Sequence, residues 1–183
     1  MMKTKSLRRP LLCFLLLTVA ALCGSVLAYM YRVTELTQNA FTPAYVDCIA
    51  AETFDGTTKS QITVQNTGNI PAYLRVRLVS YWVYAESGEI APIASQAPAF
   101  TLGPGWVAGS GSTYYYAVPV AAEAITGNLL GGPPLTLEIK TIDSTTYHQV
   151  IDVFAEAIQS VPADAVIDSW GVTLSGDTIT SAP

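Results

Sequence analysis

Residues 61–84, QITVQNTGNIPAYLRVRLVSYWVY, leave few folds open to this chain. Ile62 and Val64 alternate with Gln61, Thr63 and Gln65, the two-residue period of a strand with one buried face. Asn66-Thr67-Gly68-Asn69 follows, and Asn and Gly accept the positive φ that many tight turns require. Beyond the turn, Leu74, Val76, Leu78 and Trp82 fall on one face, with Arg75 and Arg77 on the other. A strand–turn–strand of this kind predicts one wall of an antiparallel β-sandwich, with the aromatic inside and the guanidinium groups in water. The segment holds no nucleophile–base pair and no ligand cluster.

Strand signals recur along the chain with turn punctuation between them. Residues 44–52, 60–65, 72–84, 112–120, 135–142 and 148–158 read as strands. Residues 90–102 are rich in Ala and Pro and read as a loop, and Gly103-Pro104-Gly105 and Gly131-Gly132-Pro133-Pro134 as turns. Residues 162–170 read as a short helix, with Pro162 in its first turn and Gly171 ending it. The pattern predicts an all-β fold, an antiparallel, jelly-roll-like β-sandwich with one or two short helices in its connections. The domain is expected over residues 44–172, and residues 173–183, polar and small, are expected to form a flexible tail.

The N-terminus reads as a targeting segment. Lys3, Lys5, Arg8 and Arg9 precede an apolar run, LLCFLLLTVAAL, which Gly24-Ser25 breaks. Val26-Leu27-Ala28 places small or apolar residues before a cleavage point between Ala28 and Tyr29, making residues 1–28 a signal peptide. The apolar run is also long enough to span a bilayer uncleaved, and that is the one route to a membrane that the sequence offers. Removing residues 1–28 leaves five Lys/Arg against 14 Asp/Glu, a net charge of −9. So acidic and cation-poor a domain is not expected to bind nucleic acid, where basic patches dominate affinity. Of three cysteines only Cys48 lies beyond the signal, too few for an intrachain disulfide, and it reads as a small core residue.

Catalytic machinery is scarce. One histidine, His148, serves the whole chain, and neither HExxH, G-x-S-x-G nor a phosphate or dinucleotide fingerprint is present. Asp152 and Glu156 read as a solvated stripe on a strand rather than a glycosidase pair. The loop carboxylates Asp143, Asp164, Asp168 and Asp177 lack EF-hand spacing. The expectation is a chain with no cofactor and no catalytic residue. Trp106 and the run Tyr114, Tyr115, Tyr116 allow two readings: packing at strand spacing, the favoured one, or an exposed surface that stacks on a glycan or a neighbouring protein.

NTGNIPAYLRVRLVSYW resembles the NTGN-x-x-AY-x-R-x-x-x-x-x-W segment of the TasA/camelysin family of secreted Gram-positive proteins. Four more segments agree in order: CIAAETFDGTTKSQITVQNTGN, GWVAGSGSTYYYAVPV, ITGNLL and AEAIQSVPADAVIDSWG. Together they cover residues 24–172. The resemblance implies export behind a signal cut by a SipW-type signal peptidase. It implies a structural role at the cell surface or in a biofilm matrix, through self-association into fibres. It also implies an alternative, since camelysin-like members have been classed as metallopeptidases. In the fibre reading the new N-terminus, residues 29–43, becomes a strand donated to the next subunit, with Tyr29, Tyr31, Val33 and Leu36 as contact residues.

Overall fold

The structure, a computed structural model, describes residues 8–35 and 42–183. The chain divides into two compact units, Met1–Pro43 and Ala44–Pro183.

Among the described residues the first unit holds one helix, α1 (Arg8–Glu35). Its segment Pro10–Tyr31 is long and apolar enough to cross a membrane, as a signal sequence also is. Gly24-Ser25 does not break the helix, which runs through both residues, with the Ser25 hydroxyl donating to the Leu22 carbonyl at 2.8 Å. The strand expected of residues 29–43 belongs to the chain after cleavage; in the uncleaved chain Tyr29, Tyr31 and Val33 lie inside α1. A strand needs a partner for its amides, whereas a helix satisfies them within itself, and the apolar run carries the helix through these positions. Leu36 lies outside the described residues.

The second unit is all-β and sandwich-like, with antiparallel sheets. Its strands are β1 (Cys48–Phe54), β2 (Thr58–Asn66), β3 (Ala72–Tyr84), β4 (Ile90–Ala91), β5 (Trp106–Ala108), β6 (Thr113–Tyr116), β7 (Leu135–Thr136), β8 (Ile139–Ile142) and β9 (Thr145–Gln159). A helix, α2 (Asp164–Trp170), and a hairpin, β10 (Thr173–Ser175) with β11 (Thr178–Ser181), complete it. The larger sheet runs β5-β6-β3-β9-β8, with β4 on the far end of β3; the smaller runs β1-β2-β7. β3 and β9 pair without a register break from Ala72↔Gln159 to Tyr84↔Tyr147.

That long unbroken pair fixes two faces. Leu74, Val76 and Leu78 of β3 and Ile151 of β9 turn toward the smaller sheet and meet Ile62 and Val64 of β2, with Trp106, Val120, Leu129, Leu130 and Leu135 closing the core. The opposite face carries Tyr73 and Tyr115, over which α2 and the C-terminal hairpin lay Val166, Trp170, Val172 and Ile179. Gly171 ends α2 with φ 66°, its N–H bonded to the Ile167 carbonyl at 2.8 Å, as the sequence predicts.

Two further expectations change. The C-terminal tail is a docked hairpin: Ile179 is 1 % exposed and donates its N–H to the Ala117 carbonyl at 2.7 Å, and Tyr73 donates its hydroxyl to the Asp177 carbonyl at 2.9 Å. Residues 135–142 are not one strand but two: β7 pairs with β2 and β8 with β9, so the chain crosses from one sheet to the other at Leu137 and Glu138.

Candidate functional site

The aromatic residues form a frame for the core. Trp106 is 6 % exposed; its indole N–H donates to the Gly127 carbonyl at 3.0 Å, and its ring meets Tyr116 edge-on at 5.3 Å. Strand alternation sends Tyr114 and Tyr116 into the sandwich and Tyr115 to the opposite face. Tyr114 leans on Phe100 at 5.1 Å, and burial pushes its phenol pKa up. Tyr115, 3 % exposed, meets Trp170 at 5.7 Å. Trp106 and Tyr115 are therefore no binding surface, and Tyr114 and Tyr116 are half-buried side chains of the core: the packing reading holds because the rings find partners on both faces of the sheet.

Arg75 is not in open water either. Its guanidinium sits 4.6 Å from the Trp170 ring centroid and 5.9 Å from that of Tyr115, and it bonds Glu156 directly across the β3–β9 pair through Nη2 at 2.6 Å and Nε at 3.1 Å. The sequence hides this partner, since Trp170 arrives from α2, far along the chain. Arg77, the next residue on that face, is exposed as expected.

The turn Asn66–Asn69 is a structural hub. Asn66 is fully buried; its amide nitrogen donates to the carbonyls of Ile70 at 2.8 Å and Val120 at 2.9 Å, and its amide oxygen accepts from the Gly68 N–H at 2.9 Å. Gly68 is required for a different reason than positive φ: a Cβ there would lie 2.7 Å from the Tyr45 carbonyl oxygen. The same contact ties the start of β1 to the turn, because Thr67 and Gly68 both donate to the Asp47 carbonyl, at 3.0 and 3.2 Å.

Those bonds orient β1. With the Asp47 carbonyl turned to the β2 side, the Cys48 N–H points the other way, where the Asp47 carboxylate takes it at 2.8 Å. Ala50 repeats that orientation. Its cross-strand partner Val64 spends its own N–H and carbonyl on Thr126, on the far side of β2, so Ala50 and Val64 form a non-hydrogen-bonded pair. The backbone groups of Ala50 thus face away from β2, and beyond it the β1–β2 register shifts between Ala51 and Thr53 in a bulge. β2 is covered on both sides, by β1 and by residues 123–130 with β7.

One edge of the larger sheet is guarded. Beside β5 and β6, the Ser110 N–H donates to the carbonyl of Pro183, and a Cβ at Gly109 would meet that oxygen at 3.1 Å. β7 and β8 are two and four residues long, and β8 pairs only with Thr145–His148, so residues 150–159 of β9 also have no paired strand on that side, where β1 runs close by. β1 is seven residues long, with Ile49 57 % and Phe54 52 % exposed beside its open edge. An edge of this kind is a template for another strand, which makes β1 the candidate functional site.

The chemical candidates stay scattered. His148 is exposed on β9, and among the described residues no three His, Cys, Asp or Glu side chains gather as ligands. A cleft of about 680 Å³ between residues 98–101 and 133–138 is walled by Pro98, Phe100, Pro133 and Pro134, with Glu138 its one ionisable group. Cys48 packs half-buried against the core, and burial, helped by the Asp47 and Glu156 carboxylates, pushes its thiol pKa up to about 11, which keeps it a poor nucleophile at neutral pH. Ala28 and Tyr29 lie exposed within α1. No family model, no curated protein and no solved structure matches the chain.

Proposed function

We propose that this chain is a secreted, non-enzymatic structural protein of the cell surface or extracellular biofilm matrix, which self-associates into fibres by strand exchange. The observation that carries the reading is the edge of β1, where Ala50 turns its backbone groups away from β2 on a seven-residue strand that has a neighbour on one side only. Support also comes from the resemblance of NTGNIPAYLRVRLVSYW and its four companion segments to the TasA/camelysin family.

In this reading a SipW-type signal peptidase cuts between Ala28 and Tyr29 and removes most of α1. Residues 29–35, helical while the apolar run precedes them, are then free to extend. Added along a neighbour's β1, they would gain main-chain hydrogen bonds from Ala50 and lay alternate side chains, Tyr29, Tyr31 and Val33, beside Ile49 and Phe54.

The test is electron microscopy with size-exclusion chromatography on the exported protein, residues 29–183, over a range of concentration and pH. Filaments or a concentration-dependent ladder are expected, and deleting residues 29–38 should leave a folded monomer. Fibres from the truncated protein, or a monomer from the intact one under every condition, would overturn the proposal.

A further inference from the structure

The outer face of the larger sheet is covered over only half its length. At one end α2 and the C-terminal hairpin bury Tyr73 and Tyr115 and roof the Arg75–Glu156 pair. Further along the same unbroken β3–β9 register, the face carries Arg77, Val79, Tyr81 and Val83 from β3 and Phe154, Asp152, Val150 and His148 from β9. No element of the domain packs over these residues. Phe154 is 49 % and Val79 37 % exposed, and Ile139, paired with His148 at the margin, is 66 % exposed.

The charges on this bare half differ from those under α2. Arg75 and Glu156 stand in one cross-strand pair and close on each other. Arg77 stands opposite Phe154, and Asp152 opposite Val79, so the two charges occupy diagonal corners of a square whose other corners are apolar. Among the described residues Arg77 has no ion pair, and Asp152 accepts only the Tyr81 hydroxyl at 3.0 Å, which holds its carboxylate up on the face. A square of this pattern is complementary to itself. A two-fold axis lying in the contact plane along the Val79–Phe154 diagonal sets Arg77 over the partner's Asp152 twice and stacks Phe154 on Phe154.

We propose that the bare half of this face is an isologous contact between two copies of the chain, centred on Phe154 and Val79 and registered by the crossed Arg77–Asp152 pairs. The area, two strands wide at its centre and about seven residues long, is on the order of 250 Å² per copy, which belongs to weak, concentration-dependent contacts. The contact uses a sheet face rather than an edge. It is independent of strand addition at β1 and would join subunits or fibres side by side.

The test uses the full chain in detergent micelles, with Cys13→Ser, Cys23→Ser and Cys48→Ala removing the native thiols. Phe154→Cys should form an inter-chain disulfide at least tenfold faster than Val118→Cys, an exposed position on another part of the domain. Arg77→Asp or Asp152→Arg alone should cut the Phe154→Cys rate at least tenfold, and the two together should restore it. A circular-dichroism melt of each charge variant establishes that it is folded. Equal rates at positions 154 and 118, single reversals without effect in folded protein, or a double reversal that fails to restore cross-linking would each overturn the proposal.

Discussion

Asn66 uses one side chain for three hydrogen bonds, and the one to Val120 reaches a part of the chain that the local sequence does not announce. Asn66→Ala should therefore cost about 1–3 kcal/mol, since the Ile70 carbonyl loses its partner and the Val120 carbonyl and Gly68 amide keep only Ala72 and Asp47. The shift of the urea midpoint measures it; a change below about 0.5 kcal/mol would contradict the hub. The residues NTGN announce a turn, and that much is legible from Asn and Gly alone. That Asn66 is buried, and that Gly68 is needed because the Tyr45 carbonyl crowds it, depends on residues 44–47 folding back, which no local pattern encodes. Cys48 gives a pH test at the same scale. Its folded pKa of about 11 lies above the ordinary value near 9, so the folded state holds the thiol proton more tightly. That contribution is whole below about pH 9 and is lost as pH rises toward 11. The urea midpoint should fall over that window, and Cys48→Ala should flatten part of the fall.

α2 and the C-terminal hairpin act together as a cover for one half of a sheet face. Trp170 joins them to β3 and β6, with one ring over both the Arg75 guanidinium and Tyr115. Trp170→Ala should cost about 3–5 kcal/mol, the usual range for deleting a buried indole, and Ile179→Ala about 2–4 kcal/mol. Chemical denaturation measures both, and faster amide exchange at Ile179 in the Trp170 variant would show that the hairpin is held by that contact. The sequence predicts β3 to the residue, because thirteen alternating positions flank a clear turn. It predicts α2 from Pro162 and Gly171. It misses the hairpin because Leu174 and Ile179 are too few apolar residues, set among Thr, Ser and Gly, to advertise a strand pair. What orders them is Tyr73 and Tyr115, supplied from far along the chain. In the uncleaved chain residues 29–35 continue α1, although the alternation of Tyr29, Tyr31 and Val33 suits a strand.

At the scale of the whole molecule, the sandwich covers one edge of its larger sheet with the C-terminal segment, while β8 pairs only the first four residues of β9 and β1 has a strand neighbour on one side only. β proteins shield long edges with charge, bulges, proline or cover; β1 carries Glu52 and a bulge in its second half and neither at Ile49 or Ala50. The aromatic residues, read in the sequence first as packing, lie in the core; the edge, a property of backbone and not of any residue type, left no mark in the sequence. The most direct test is negative-stain electron microscopy of the exported protein beside its Ala50→Pro variant. That substitution removes an outward N–H that β2 does not use. Filaments from the unaltered protein and folded, filament-free monomer from the variant are the predicted result. Filaments of the same abundance from both would contradict assembly through β1.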